Sequence, residues 1–231
     1  MKKINFFLII AVVFLTGMLA ISGCRKDTAF TNTMPPVITL NGSETVYHIL
    51  NTEYKDAGAT AKDSKDGNIS SSVVVTNPVN QDRVGIYEVV YKVSDTEKNS
   101  QTAIRTVIVY NEASRLLSGV YLSDGINYQV HDSSEVNAIS DYTQIITPSP
   151  ISNKKVLFNK FGNYDNNSGI YANINATTIT LPLQDGDKIG VPNADHTFFG
   201  SGILTDFNFV LKYTDKINSS ATKHVATFIK I

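Results

Sequence analysis

Along the 231 residues, apolar positions fall into one long run near the start and then into short runs separated by turn residues. Phe6 to Ala20 is almost unbroken hydrocarbon behind Lys2 and Lys3, with no charge between Ile4 and Gly23. That is the three-part form of a secretory signal, and it falls short of the roughly 20 residues that a spanning helix needs. Arg25 to Met34 is polar and aperiodic and reads as a flexible stalk. From Pro35 the pattern becomes that of short strands: Val37 to Leu40, Val46 to Ile49, Val73 to Thr76, Ile86 to Val93 and Ala103 to Tyr110. In the clearest of these, Tyr87, Val89, Tyr91 and Val93 alternate with Glu88 and Lys92, so one face should be buried and the other wet. Asn41-Gly42 is a hairpin signal between the first two strands.

Asn111 to Arg115 reads as a short connection. Beyond it, Gly119 to Leu122 is expected to turn at Ser123-Asp-Gly125 into Ile126 to Val130. Val156 to Phe158, Ile170 to Ile174, Thr178 to Leu183, the alternating Phe207, Phe209, Leu211 and Tyr213, and Val225 to Ile231 follow. No stretch sustains a helical period. The chain is therefore expected to be all-β, with about eight strands in this second part closing an up-and-down barrel or a two-sheet sandwich.

Composition narrows the function. At 42% hydrophobic and 18% charged residues the chain is a globular folder. Twenty basic against 21 acidic residues leave no footprint for phosphate, so nucleic acid is excluded as an expected partner. A single Cys can form neither an internal disulfide nor a thiolate zinc site, and Trp is absent.

Ile21-Ser22-Gly23-Cys24 places two small residues before that one Cys and resembles the lipobox of bacterial lipoproteins. The resemblance implies that residues 1–23 are a signal peptide, that Cys24 is lipidated and becomes the first mature residue, and that residues 24–34 form the tether. Two or three acyl chains would make attachment to the outer membrane effectively permanent. Lys26-Asp27 resembles the export signal of Bacteroidota surface lipoproteins, which favours the cell surface over the periplasmic face. The landmarks Pro36-Val-Ile-Thr-Leu, Tyr54-Lys-Asp-Ala-Gly-Ala-Thr-Ala, Asp66-Gly-Asn-Ile-Ser, Gly85-Ile-Tyr-Glu-Val-Val-Tyr, Asp95 through Asn99-Ser, and Arg105-Thr-Val-Ile-Val resemble a bacterial immunoglobulin-like domain, the type also found in pesticidal crystal proteins. This implies a sandwich of about seven strands over residues 35–111, without the antibody disulfide or Trp. Residues 112–231, an antiparallel β domain, loosely resemble lipocalin-like modules.

Candidate chemistry is sparse. His48, His131, His196 and His224 have no neighbours at metal-ligand spacing, and Gly200-Ser201-Gly202 reads as a turn rather than a nucleophile elbow. Asp185-Gly186-Asp187 reads as a hairpin turn. Asp63, Asp66 and Asn68, with Asp95 and Asn99, could converge on calcium at one end of the sandwich, but such residues ordinarily cap their own turns, and no metal or cofactor is expected. Asp141, Asp165, Asp195, Asp206 and Asp215 offer carboxylates for glycoside hydrolysis, with no motif to select a pair. Sugar binding draws on aromatic faces with polar partners alongside, and Tyr142, Tyr164, Tyr171, His196 and Phe198, with Phe161 and Phe199, supply them from expected loops. The expectation is a noncatalytic surface lipoprotein whose sandwich is a spacer and whose C-terminal module binds, with polysaccharide as the ligand. The alternatives are a structural or adhesion subunit that contacts envelope proteins, and a small glycoside hydrolase.

Overall fold

The computed structural model describes residues 33–121, 125–163, 169–185, 196–217 and 219–231. The signal segment, Ile21, Ser22, Gly23 and Cys24, Tyr164, Asp165, Asp195, Asp187 and most of the Ser123-Asp-Gly125 turn lie outside the described residues. Pro35–Ile231 is one compact unit, and among the described residues no helix is long and apolar enough to cross a membrane.

The first half is a two-sheet sandwich. Its strands are β1 (Val37–Leu40), β2 (Thr45–Ile49), β3 (Ala59–Asp63), β4 (Gly67–Asn68), β5 (Val74–Thr76), β6 (Gly85–Ser94) and β7 (Ser100–Tyr110). One sheet runs β1-β3-β4 and the other β2-β7-β6-β5. The alternation of β6 is realised as expected: Val89, Tyr91 and Val93 are buried with Val107, Val109 and Leu50 between the sheets. Asn41-Gly42 is not a hairpin turn. Gly42 takes the left-handed φ of 86° that the dipeptide favours, but β1 pairs antiparallel with β3 while β2 runs parallel to β7. The turn therefore carries the chain from one sheet to the other.

An α-helix follows, α1 (Glu112–Ser118), and then eight strands: β8 (Ile126–Asp132), β9 (Tyr142–Pro148), β10 (Lys155–Phe158), β11 (Tyr171–Asn175), β12 (Thr178–Asp185), β13 (His196–Thr205), β14 (Asn208–Ile217) and β15 (Ser220–Lys230). Each pairs antiparallel with the next, and β15 pairs with β8, closing the barrel. Closure removes every sheet edge. The interior is packed with rings: Phe158 meets Phe161 at 5.1 Å, Phe161 meets Phe198 at 5.3 Å, and Phe209 stacks on Phe228 at 4.2 Å between centroids.

Two expectations fail here for physical reasons. Gly119 to Tyr121 carry no strand, because Gly119 is the left-handed C-cap of α1 (φ 77°). The helix is capped at its other end by Asn111 Oδ1, which accepts from the Ala113 backbone N–H, and it buries Ala113 and Leu117 against the barrel. Two turns are too short for a 3.6 period to register. Gly200-Ser201-Gly202 is not a turn but the middle of β13. A Cβ at Gly200 would lie 2.3 Å from the Lys212 carbonyl oxygen, and one at Gly202 would lie 2.3 Å from that of Val210. Only glycine lets β14 approach so closely where the barrel wall bends.

The parts follow one another in order along the unit. Val37 pairs with Lys62, next to the Asp63–Asp66 turn that Thr96, between β6 and β7, joins by donating its N–H and hydroxyl to Asp66. From there β7 runs the length of the sandwich to Tyr110, at the barrel. The barrel end facing the sandwich carries α1 and residues 149–154. Val84 N–H donates to Pro150 O at 2.9 Å, Asn51 Nδ2 to Ile151 O at 3.1 Å, and Tyr47 stacks on Tyr121 at 4.1 Å. At the opposite end β8, β12 and β14 finish and β9, β13 and β15 begin.

Candidate functional site

The far end of the barrel gathers the histidines. Asp132, the last residue of β8, accepts from the Ser134 N–H and hydroxyl, from the Ile139 N–H at 2.9 Å and from His224 Nδ1 at 2.8 Å. Burial by itself would raise its carboxyl, but the Ser134 hydroxyl, the backbone donors and His224 together hold it below the usual carboxylate range. Tyr213 lies flat on the His224 ring, 4.8 Å away at 17°. On the neighbouring strands His196 Nδ1 sits 2.8 Å from Asp215 Oδ1, both side chains buried, and the His196 ring stacks on Phe198. His131 meets Asp141 at 2.7 Å in the open. Three of the four histidines are thus each oriented by an aspartate at one barrel end, while His48 contacts Thr52 in the sandwich.

In each pair the aspartate fixes the orientation of the histidine ring. The Ser134 hydroxyl donates to Asp132, the same carboxylate that His224 meets. Among the described residues no three His, Cys, Asp or Glu side chains come together as a metal site. Asp63 Oδ1 accepts from the N–H groups of Lys65 and Asp66, and Asn68 Oδ1 from the N–H and hydroxyl of Ser70. Asp95 Oδ1 likewise accepts from Asn99 N–H. These oxygens cap their own turns.

The aromatic candidates do not form a rim. Tyr142 lies on β9 with its hydroxyl accepting from Gly162 N–H, and burial pushes that hydroxyl well above its ordinary value. His196 and Phe198 point inward from β13, and Phe161 is buried beside them. Tyr171 is half-buried on β11 with the Lys155 ammonium 4.0 Å above its ring. Strand positions, not loops, hold all four of the candidates that the structure describes.

One buried cluster is not legible as a unit in the sequence. Arg105, on the inward face of β7, is 1% exposed. Its Nη1 donates to Asp56 Oδ2 and to the Tyr91 hydroxyl, both at 2.7 Å, and its remaining N–H groups reach the carbonyls of Ser43, Asn41 and Gly58. Asp56 also accepts from Tyr54 and Tyr91. The landmarks Tyr54-Lys-Asp and Arg105-Thr-Val are therefore two halves of one buried ion cluster. The signal was an arginine in phase with Val107 and Val109.

No curated protein matches this sequence. Among solved structures, the chain resembles the lipoprotein BT2262 from Bacteroides thetaiotaomicron with 17% identity and a TM-score of 0.33, covering 83% of this chain and 98% of that one. It also resembles the CBM51-2 and INT domains of Clostridium perfringens ZmpB, solved in complex with GlcNAc, with 19% identity and a TM-score of 0.28, over 84% of this chain and 43% of that one. In the M60 catalytic domain structure with the CBM51-1 and CBM51-2 domains of the same protein, the values are 18% and 0.28, and the chain spans 21% of its length. Residues 38–109, the sandwich from β1 to the penultimate residue of β7, match the family described as bacterial surface protein, Ig-like domain.

Proposed function

We propose that the protein is a noncatalytic lipoprotein displayed on the outer membrane, held by acyl chains on Cys24, with the immunoglobulin-like sandwich as spacer and the barrel as binding module. One observation carries this reading: the chain enters the sandwich at the end remote from the barrel, and the barrel sits on the other end, so a tether before Pro35 leaves the barrel outermost. The surface-protein family of residues 38–109 supports the address. Incorporation of a fatty-acid probe, its loss in Cys24→Ser, and removal of the barrel by protease added to intact cells test the anchor and its face. An unlabelled protein overturns the reading.

Polysaccharide is the proposed ligand class. Of the five aromatic candidates, Tyr171 retains exposed surface at the described positions, with the Lys155 ammonium over one face of its ring. Binding of a soluble chain starting near Thr31 to members of a glycan array is the expected result. A structural or adhesion role is the second reading. It is favoured by apolar side chains on the outer wall of the barrel, where Leu183 is 72% and Ile203 67% exposed. Co-purification with envelope proteins that survives high salt would support it.

A further inference from the structure

The two-residue connection between β13 and β14 is strained at an aromatic. Asp206 (φ 48°) and Phe207 (φ 66°) both lie in the left-handed region, as a type I′ hairpin demands, and that turn ordinarily carries Asn-Gly. A bulky ring at such a φ is a genuine outlier, and strain of this kind persists where the surroundings over-determine it, often at ligand clamps. The surroundings do so here. The Tyr128 hydroxyl donates to Phe207 O at 2.9 Å, and the Lys230 ammonium sits 4.9 Å from the ring centroid, itself donating to Ser118 O. Gly119 leaves room for the ring, since a Cβ there would lie 3.2 Å from Phe207 Cζ. Phe207 so fixed is still 40% exposed.

It faces a cleft. Tyr110, Glu112, Arg115, Leu116 and Phe207 line about 340 Å³ between the end of β7, α1 and this turn, within the range of small-molecule sites, which favour domain junctions. Glu112 is steadied by Asn153 Nδ2 at 2.8 Å and by Lys154. The exposed Arg115 guanidinium lies over the Tyr121 ring, and no carboxylate among the described residues pairs with it. An exposed, rigid aromatic face beside a carboxylate acceptor and a forked donor is the chemistry that recognises a pyranose: apolar C–H face on ring, hydroxyls to the charged groups.

We propose that this cleft is a saccharide-binding site, in which Phe207 stacks against a sugar ring and Glu112 and Arg115 engage its hydroxyls. The proposal rests on the polysaccharide reading and moves the site from the far end of the barrel to the junction with the sandwich. The test uses the full chain, purified in detergent, on an array of hexose and N-acetylhexosamine oligosaccharides, with Phe207→Gly, Arg115→Ala and Tyr171→Ala compared on any glycan that binds. Phe207→Gly relieves the backbone strain while deleting the ring, so its thermal midpoint should hold while its affinity falls about tenfold or more. Arg115→Ala should weaken binding as well, and Tyr171→Ala should not. Undiminished binding by Phe207→Gly, or loss confined to Tyr171→Ala, overturns the site and leaves polysaccharide binding standing. An array on which the unaltered chain binds nothing overturns both together, while acyl labelling at Cys24 would still uphold the display reading.

Discussion

Replacing Arg105 by Met removes a guanidinium that satisfies one carboxylate, one phenol and three backbone carbonyls inside the sandwich. Methionine fills most of the volume, so the loss is mainly electrostatic: Asp56 keeps its charge without its counterion. Breaking a buried pair from one side costs about 3–5 kcal/mol. For a cooperative unit of 150–250 residues that is a fall of roughly 6–20 °C in Tm, at about 2–4 °C per kcal/mol, read by far-UV circular dichroism. Asp56→Leu should cost similarly, but Arg105→Met with Asp56→Leu should cost clearly less than the two summed, because neither charge is then stranded. The acid limb supplies an independent check. Burial alone would raise the Asp56 carboxyl, but the Tyr91 hydroxyl, Arg105, the Gly58 N–H and Tyr54 hold it below its ordinary value. A depressed folded pKa gives stability that is complete above the unfolded value of about 3.9 and lost as pH falls through the folded one. Tyr54 is shifted the other way, up to about 12, chiefly by burial and then by Asp56, so its contribution is complete below about pH 10 and lost as pH rises toward the folded value. A single Arg105→Met loss under about 1 kcal/mol, or strict additivity in the double variant, would refute the reasoning.

Gly200→Ala should destabilise the barrel by about 3 kcal/mol or more, since the new methyl would overlap the β14 backbone; a Tm within 2 °C of wild type, or roughly 1 kcal/mol, would contradict the close approach. Asp132→Asn should cost about 2–3 kcal/mol by loosening His224, Ser134 and Ile139, and should flatten the loss of stability on acidification, because the wild-type carboxylate contributes fully above its unfolded pKa and not below its depressed folded one. Gln144 Oε1 is buried without a partner while its Nε2 donates to Ile145 O and Asn159 Oδ1, so Gln144→Met relieves one unsatisfied acceptor but loses two bonds and should cost about 1–2 kcal/mol in urea unfolding. Asn111→Ala should cost about 2–4 kcal/mol, combining a lost helix cap with stranded carbonyls of residues 149 and 152, and should separate sandwich and barrel melting into two steps.

What the sequence discloses depends on whether a strand's two faces differ. In β6 charged residues mark the wet side, so face and register are legible residue by residue. In β9 the inward row is Tyr142, Gln144 and Ile146, and the glutamine breaks the apolar alternation. In β13 two glycines occupy inward positions and mimic a turn. β3, Ala-Thr-Ala-Lys-Asp, has no large apolar residue to announce it. The choice between barrel and sandwich rests on β15 meeting β8, with Ala226 opposite Asp132, a pairing between segments far apart in the chain that no local pattern encodes. The same blindness misplaced the aromatic candidates: a period of two identifies a face but not whether that face lines a core, and His196 and Phe198 line one.

Asn111 shows how the junction between the halves is made. It is 1% exposed, and its Oδ1 accepts from the N–H groups of Ala113 and Lys154 while its Nδ2 donates to the carbonyls of Ser149 and Ser152. One side chain therefore starts α1, at the exit from β7, and binds the β9–β10 connection of the barrel. Because both acts use the same amide, the orientation of helix on barrel is fixed at the residue where the sandwich ends. A short linker of ordinary polar residues would have let the barrel swing; here the backbone carbonyls that swinging would expose are already spent. The cleft beside Phe207 inherits that rigidity, since Tyr110, Glu112 and Arg115 flank Asn111 in sequence. A junction built this way can hold a sugar-sized gap at constant width, which a hinged pair of domains could not.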